Sequence, residues 1–194
     1  MAKKKTVKKQ KVKKKKWFEI ALPALLKGGV FAEGFAETPE KMIGRTIKAS
    51  LADVLKTTGK RHMTVELVVT SVKTSTAHTS IKSIIVSEPY LYRKTRKNTK
   101  VSAKFVGPTS DGYNVDVRLA AIGDGHALTN AKKEIRKILT DFIEKRVKKT
   151  KKDALIMDLI NNSMQKAVKK QLHKIHPMRS IELEKLIIKN VTKK

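Results

Sequence analysis

The strongest constraint on the fold of this 194-residue chain is a change of hydrophobic period about two-thirds of the way along it. Upstream, Met63, Val65, Leu67 and Val69 alternate with Thr64, Glu66, Val68 and Thr70. Downstream, Ile135, Ile138, Leu139, Phe142, Ile143 and Val147 recur at helical spacing. A period of two puts alternate side chains on one face of a strand, whereas a period of 3.6 gathers them into one stripe of a helix. A chain that places its strands first and its helices afterwards, without βα alternation, is expected to build an antiparallel sheet and lay helices on it.

Those periods predict residues 17–23 (Trp17-Phe18-Glu19-Ile20-Ala21-Leu22-Pro23) as a short, mostly buried strand closed by proline, and residues 44–51 as a second strand. Residues 27–40, rich in Gly, Glu and Thr-Pro, read as a loop. Residues 62–73 and 76–85 form the clearest antiparallel pair. Ser87-Glu88-Pro89 has the capping hydroxyl, early acid and early proline of a helix start, giving a short helix or turn. Residues 100–107 and 113–121 close a hairpin around Pro108-Thr109-Ser110-Asp111-Gly112. A helix of about twenty residues follows around Ile135 to Val147. A second helix from Asp153 to Ile175 must stop near His176, because the residue before Pro177 is pushed out of the helical region. Residues 181–188 supply a last strand, and no internal repeat is visible. The expected fold is therefore α+β: an antiparallel β-barrel or strongly curved sheet, two long helices in the C-terminal half, and a final strand.

Ahead of this body lie ten lysines in sixteen residues (Lys3, Lys4, Lys5, Lys8, Lys9, Lys11, Lys13, Lys14, Lys15 and Lys16) and no acid. Such a segment buries too little apolar surface to offset the entropy of ordering it, so a disordered basic tail is expected. Stretched at 3.3–3.6 Å per residue it reaches about 50 Å, against a radius of gyration of about 16 Å for a globule of this length. Like charges at that density favour a polyanion, whose condensed counterions are released on pairing. The formal net charge is +28; ten of those charges lie in residues 1–16, and residues 17–194 keep +18. The basic character thus belongs to the body too, beyond what a solubilising or nuclear-targeting arm requires. The expected organisation is a tail over 1–16, one globular domain over 17–190 and a short basic end over 191–194.

A basic excess of this size points to nucleic acid or an anionic membrane. No apolar run approaches the roughly 18 residues that span a bilayer, and the N-terminus has no apolar stretch of a secretory signal, so a soluble, intracellular polyanion binder is expected. The absence of cysteine excludes disulfides and thiolate zinc sites. Arg93, Lys94, Arg96, Lys97 and Lys100 cluster beside Tyr90 and Tyr92, cations for phosphates with rings for stacking; a solvated loop anchored by its tyrosines is the plainer reading. The expected helix carries Lys133, Arg136 and Lys137 and ends in Lys145, Arg146, Lys148, Lys149, Lys151 and Lys152, more cations than the helix dipole alone calls for. Trp17 and Phe18 either pin the tail to the core, the favoured expectation, or stack on a base. His173 and His176 share a helix-compatible spacing, but the nearest acids, Glu182 and Glu184, lie beyond Pro177. Asp111 belongs to the hairpin turn, Asp116 and Arg118 share a strand face, and no carboxylate pair has the spacing of a general acid–base or two-metal site. Gly28-Gly29 and Gly123-Asp124-Gly125 lack the Lys-Ser/Thr of a phosphate loop.

Several short pieces occur in a familiar order: Lys16-Trp17-Phe18 with Pro23; Ile43-Gly44-Arg45-Thr46 followed by Ser50-Leu51-Ala52-Asp53; Asp111-Gly112-Tyr113 before Arg118; Ile135-Arg136-Lys137-Ile138; and Ile175-His176-Pro177-Met178-Arg179. Across residues 14–189 the chain resembles the small-subunit ribosomal protein family shared by archaea and eukaryotes, e-S-one or S-three-a-e, and its length looks archaeal. The resemblance implies a β-barrel with flanking helices on the small-subunit platform near the messenger exit. It implies contact with small-subunit ribosomal RNA and neighbouring platform ribosomal proteins, a cytoplasmic, ribosome-bound location, no enzymatic activity, no cofactor, and neither a membrane nor a small-molecule substrate as partner. At Gly123-Asp124-Gly125-His126 the chain departs from the family's basic pattern, so no RNA contact is carried onto that stretch. A free RNA- or DNA-binding protein, chaperone or chromatin-like, is the competing expectation.

Overall fold

The computed structural model describes residues 15–26 and 28–189; the expectations for residues 1–14 and 191–194 lie outside these. Eight strands are formed: β1 (Lys16–Ala21), β2 (Val30–Ala36), β3 (Thr46–Ser50), β4 (Met63–Lys73), β5 (Thr76–Val86), β6 (Lys100–Pro108), β7 (Asn114–Gly123) and β8 (Met178–Ile188). The helices are α1 (Leu51–Leu55), α2 (Glu88–Thr95), α3 (Thr129–Lys149), α4 (Lys152–Ile160) and α5 (Ser163–Leu172). The fold is α+β, as expected, but all eight strands belong to one open sheet. Its main path runs β2-β1-β5-β8-β7-β6, with β3 attached through β4 to β5, and no pairing among the described residues closes it into a barrel.

The sheet branches at β5. One edge of β5 pairs with β4 along nearly its whole length, from Met63↔Val86 to Lys73↔Thr76. The other edge is shared: its start pairs with β1 through Glu19↔Thr76, Ile20↔Ala77 and Ala21↔His78, and its end pairs with β8 through Ser83↔Ile187, Ile84↔Leu186 and Ile85↔Lys185. The β1–β5 pair is parallel, a correction to the purely antiparallel expectation. It is possible because the long excursion through β2, β3 and β4 returns the chain in the same direction. Register shifts in β4 and β7 mark β-bulges, which bend and twist strands locally.

One face of β6, β7 and β8 presents Val101, Ala103, Val115, Val117, Leu119, Ala121, Leu183 and Leu186 to a core that includes Ile135, Leu139, Ile143 and Val147 of α3, Leu155 and Leu159 of α4, and Val168 and Leu172 of α5. Each fully buried aliphatic side chain contributes roughly 1.5–3 kcal/mol over leaving it exposed, which offsets the low helix-forming cooperativity of short segments such as α4 and α5. A second, smaller core gathers Phe18, Ile20, Ala36, Met42, Val69 and Ala77 where β1, β2, β4 and β5 meet.

Four further local expectations are corrected. Within the expected loop over 27–40, β2 forms, its strand character hidden by small residues: Phe18 faces Gly34 and Ile20 faces Ala32. A Cβ on Gly34 would come within 2.9 Å of Met42 Cε, so a side chain there requires the end of Met42 to shift within the small core. The strand over 44–51 ends at Ser50, whose hydroxyl accepts a hydrogen bond from Ala52 N at 3.3 Å and starts α1. The second long helix is two, α4 and α5, separated at Asn162, which has φ 59°; asparagine tolerates this left-handed conformation better than most residues. The C-terminal half therefore has one long helix and two short ones. Trp17, expected in the core, points out: it is 67% exposed while its neighbour Phe18 is 3% exposed. At α2 the expected helix start is present, although the Ser87 hydroxyl makes no capping bond.

The alternation of β1 predicts a sharp contrast between neighbours. Phe18→Ala is expected to lower the unfolding free energy by about 3–5 kcal/mol, and Trp17→Ala by less than about 1.5 kcal/mol. Urea titration followed by circular dichroism reads both. Equal costs would contradict the register of β1.

Candidate nucleic-acid interface

Helix α2 begins with Glu88 and Pro89 and buries Leu91; of the cations in its last turn Arg93 is exposed and Lys94 half-buried. The structure divides the expected cluster. Lys94 Nζ lies 2.5 Å from Glu182 Oε1 and Lys100 Nζ lies 2.5 Å from Glu184 Oε1, so carboxylates of β8 neutralise both. Ser102 also donates to Glu184 at 2.8 Å. Burial works against the charge on Lys94, but its bonds to Glu182 and Tyr90 outweigh this and hold its pKa above the ordinary lysine value. Arg93, Arg96 and Lys97 are exposed and have no ion pair among the described residues. The tyrosines divide likewise. Tyr90 stacks on His62 with ring centroids 3.8 Å apart and lies 4.9 Å from Lys94 Nζ, whereas Tyr92 is 72% exposed.

On α3 the buried stripe Ile135, Leu139, Ile143 and Val147 leaves Lys133, Arg136 and Lys137 exposed near one end and Lys145 and Lys149 exposed at the other. At 1.5 Å per residue the two groups stand roughly 15 Å apart along the axis. Two of the C-terminal cations have partners: Arg146 with Asp158 at 2.7 Å and Lys148 with Glu144 at 2.6 Å. Lys151 is exposed. Lys152 is held inward, its Nζ 4.5 Å from the Tyr113 ring centroid and 3.7 Å from Asp153, while its backbone N–H donates to Asp111 Oδ2 at 3.1 Å. Asp111 thereby ties the β6–β7 turn to the start of α4. Asp116, buried beside Arg118 at 3.3 Å and Lys104 at 3.6 Å, is likewise part of an internal ion-pair cluster. Of the tail, Lys15 Nζ sits 4.9 Å from the Phe35 centroid and Lys16 opens β1; Lys3 through Lys14 lie outside the described residues.

A further basic face, absent from the sequence-based expectation, is carried by α5. Met164, Val168 and Leu172 are buried, and Lys166, Lys170 and Lys174 are exposed on the other side. The spacing Lys166, Lys169, Lys170, His173, Lys174 is a helical stripe complementary to the apolar one, and this was the signal available. Lys166 and Lys169 face Lys60, Lys94 and Arg179 across a cleft of about 240 Å³ in which Glu182 is the sole carboxylate among the lining residues. Lys169 donates to the Arg179 carbonyl at 2.8 Å, anchoring α5 to β8. Of α2 only Tyr90 and Lys94 line this cleft, so Arg93, Arg96 and Lys97 stand outside it.

The turn at Gly123-Asp124-Gly125-His126 is an internal joint. Asp124 N donates to Pro177 O at 2.9 Å, and Gly125 N donates to Asn98 Oδ1 at 3.2 Å. His176 Nε2 lies 3.1 Å from Asp124 O, and a Cβ on Gly123 would meet the His176 ring at 2.8 Å. His173 Nδ1 accepts from Met178 N at 3.1 Å. His173 thus fastens the end of α5 to β8 and His176 fastens the same connection to the turn after β7, and no group of three potential metal ligands occurs among the described residues. No helix of the described residues is long and apolar enough to cross a membrane.

Burial pushes His62 below its ordinary value of 6.5; Lys94 and Lys60 push the same way and Glu182 opposes them. A depressed histidine pKa means that the unfolded chain takes up the proton first. Its contribution to stability is complete above pH 6.5 and is lost as pH falls through the folded value. The melting temperature is therefore expected to fall between pH 7.5 and pH 5, less steeply in His62→Gln; parallel slopes by differential scanning fluorimetry would contradict this.

The sequence itself has extensive relatives. A model of the Ribosomal S3Ae family matches residues 2–191. The small ribosomal subunit protein eS1 of Staphylothermus marinus is 29% identical over 185 residues, covering 95% of this chain and 87% of that protein. Its counterpart in Desulfurococcus amylolyticus is 28% identical with the same coverage, and that of Aeropyrum pernix is 29% identical over 176 residues, 88% of this chain and 82% of the relative. The match spans both cores and every basic group of residues 15–189, and the chain belongs to the Ribosomal S3Ae family.

Proposed function

We propose that this protein is a structural constituent of the small ribosomal subunit that binds ribosomal RNA, seated on the platform near the messenger exit beside other platform proteins, in the cytoplasm. The observation that carries the proposal is the asymmetry of its charges. Glu182, Glu184, Asp116 and Asp158 pair with cations of the body, while Arg93, Arg96, Lys97, Lys133, Arg136, Lys137, Lys145, Lys149, Lys151, Lys166 and Lys170 are exposed without an ion pair among the described residues, in excess of exposed unpaired carboxylates such as Glu134 and Asp141. A surface of that kind repels itself and is relieved by phosphates. The lysines of residues 1–16 add to it, and threading between RNA helices lets them neutralise backbones that would otherwise repel. Recognition is of backbone and shape, because the deep major groove of A-form RNA excludes side chains. The fixed ion pairs and rigid sheet hold the basic groups in place, a role that requires no reaction and no cofactor.

Two measurements follow from this reading. Replacing Arg93, Arg96 and Lys97 together by alanine is expected to weaken binding to small-subunit RNA and to reduce the magnitude of the log–log salt slope by roughly 2–3. Lys94→Ala with Lys100→Ala, whose charges are already satisfied by Glu182 and Glu184, is expected to change the slope by less than about 1 while lowering stability. Filter binding across a salt series separates them; equal slopes for the two variants would overturn the division. Removing residues 1–16 is expected to lower affinity and flatten the salt dependence with the body still folded. In native lysate the protein is expected to sediment with small subunits through moderate salt. Sedimentation near the top of the gradient would instead favour a free nucleic-acid-binding protein.

A further inference from the structure

We propose that Trp17 and Phe35 form a stacking site for an unpaired nucleotide of the bound RNA, so that the protein grips a single-stranded segment as well as duplex backbone. The inference rests on the RNA-binding reading and adds to it a second mode of contact. Trp17 and Phe35 are cross-strand partners on β1 and β2. Their rings meet edge to face, with centroids 5.8 Å apart and planes at 69°. Both are left open to solvent, at 67% and 49% exposure. Elsewhere in β1 the aromatic payload is buried, as Phe18 is, so the outward pair is not filling a core.

The surroundings specify the occupant. Lys15 Nζ lies 4.9 Å from the Phe35 centroid, and Arg45 Nη1 donates to Phe35 O at 3.0 Å. Cations bordering an exposed indole are the combination with which single-stranded nucleic acid is held: the ring takes a base and the cations take flanking phosphates. The same outer face carries the exposed pair Glu19↔Glu33 on the next rung of β1 and β2. Those carboxylates repel phosphate, so the backbone runs on the Lys15 and Arg45 side, while their oxygens accept hydrogen bonds from N–H groups on a base edge. A duplex offers no base face to the site, because its bases are stacked on one another.

Trp17 is the only tryptophan in the chain, so its emission reports this site alone. The full chain is titrated with fluorescein-labelled single-stranded oligoadenylate and, separately, with an RNA duplex of equal length, reading label anisotropy and tryptophan emission. The single strand is expected to quench Trp17 emission and the duplex to leave it nearly unchanged. Trp17→Ala is expected to weaken single-strand binding about 5- to 100-fold and to change duplex binding by less than about twofold. Phe35→Ala, which keeps the reporter, is expected to reduce the quench. Binding by anisotropy with unchanged emission, or equal weakening of both RNAs by Trp17→Ala, overturns the stacking site, leaves backbone binding standing and assigns the aromatic pair to a protein neighbour. Absence of RNA binding by anisotropy overturns the RNA reading and the stacking site with it.

Discussion

The division of one edge of β5 between two partners is the constraint on which the rest of the molecule depends. Strand β4 occupies the opposite edge, so the start of β5 must hold β1 and its end must hold β8. The junction is fastened by side chains as well as by the ladder. Thr79 donates to the Ala21 carbonyl at 2.8 Å where β1 departs, and buried Ser83 donates to Glu66 Oε2 at 2.8 Å where β8 arrives. That bond, and then Lys48, holds the Glu66 carboxyl below its ordinary value. Each arm of the branch organises a different core. The β1 arm builds the small one around Phe18 and Met42, and the β8 arm carries β7 and β6 beneath the helices.

A body this basic avoids unfolding under its own repulsion by placing its few acids well. Glu182, Glu184 and Asp116 stand on the central strands β8 and β7, where each meets one or two cations from a neighbouring element. Asp158 does the same between α4 and the end of α3. Exposed pairs of this kind contribute little individually, but here their location matters more than their strength. They hold Lys94, Lys100 and Arg146 against the body, and the cations without such partners face solvent in excess of exposed carboxylates such as Glu134 and Asp141. Binding a polyanion then removes repulsion as well as adding attraction.

The parts of the fold legible in the sequence are those whose side chains follow one period. Strand β4 and helix α3 satisfy this most cleanly, with their buried apolar residues on one face, whereas β7 is buried on both faces and its hairpin was marked by the turn at residues 108–112. Strand β2 escaped because its inward positions are Ala32, Gly34 and Ala36, small residues whose role is to make room for Met42. The α4–α5 break escaped because Asn161-Asn162 interrupts no apolar pattern, the left-handed residue being chosen by packing on both sides. The basic clusters were legible as composition, yet their pairing was not. Glu182 and Glu184 lie more than eighty residues from Lys94 and Lys100, and only the β8 pairing brings them together. The α5 stripe was legible in principle, as the complement of an apolar stripe already recognised.

The outward Trp17 follows from the same geometry that hid β2. In a strand with period two, a one-residue slip exchanges the two faces, so either Trp17 or Phe18 can be buried but not both. The parallel pairing of Ile20 with Ala77 and the facing of Phe18 by Gly34 select the register in which Phe18 goes in. Phe18 then joins Ile20 and Met42 in the small core, where the Met42 terminus and Ile20 lie against Gly34. Exposing the indole forgoes roughly 1.5–3 kcal/mol that burial of a large apolar side chain supplies. A valine or threonine at position 17 would suit an exposed strand position equally well without that loss. The chain instead places its one tryptophan, beside Phe35, Lys15 and Arg45, at the point where the lysine-rich N-terminus meets the sheet. Packed edge to face on Phe35, the indole keeps its flat face in water with Lys15 and Arg45 at the border, and that geometry is what the proposed stacking site rests on.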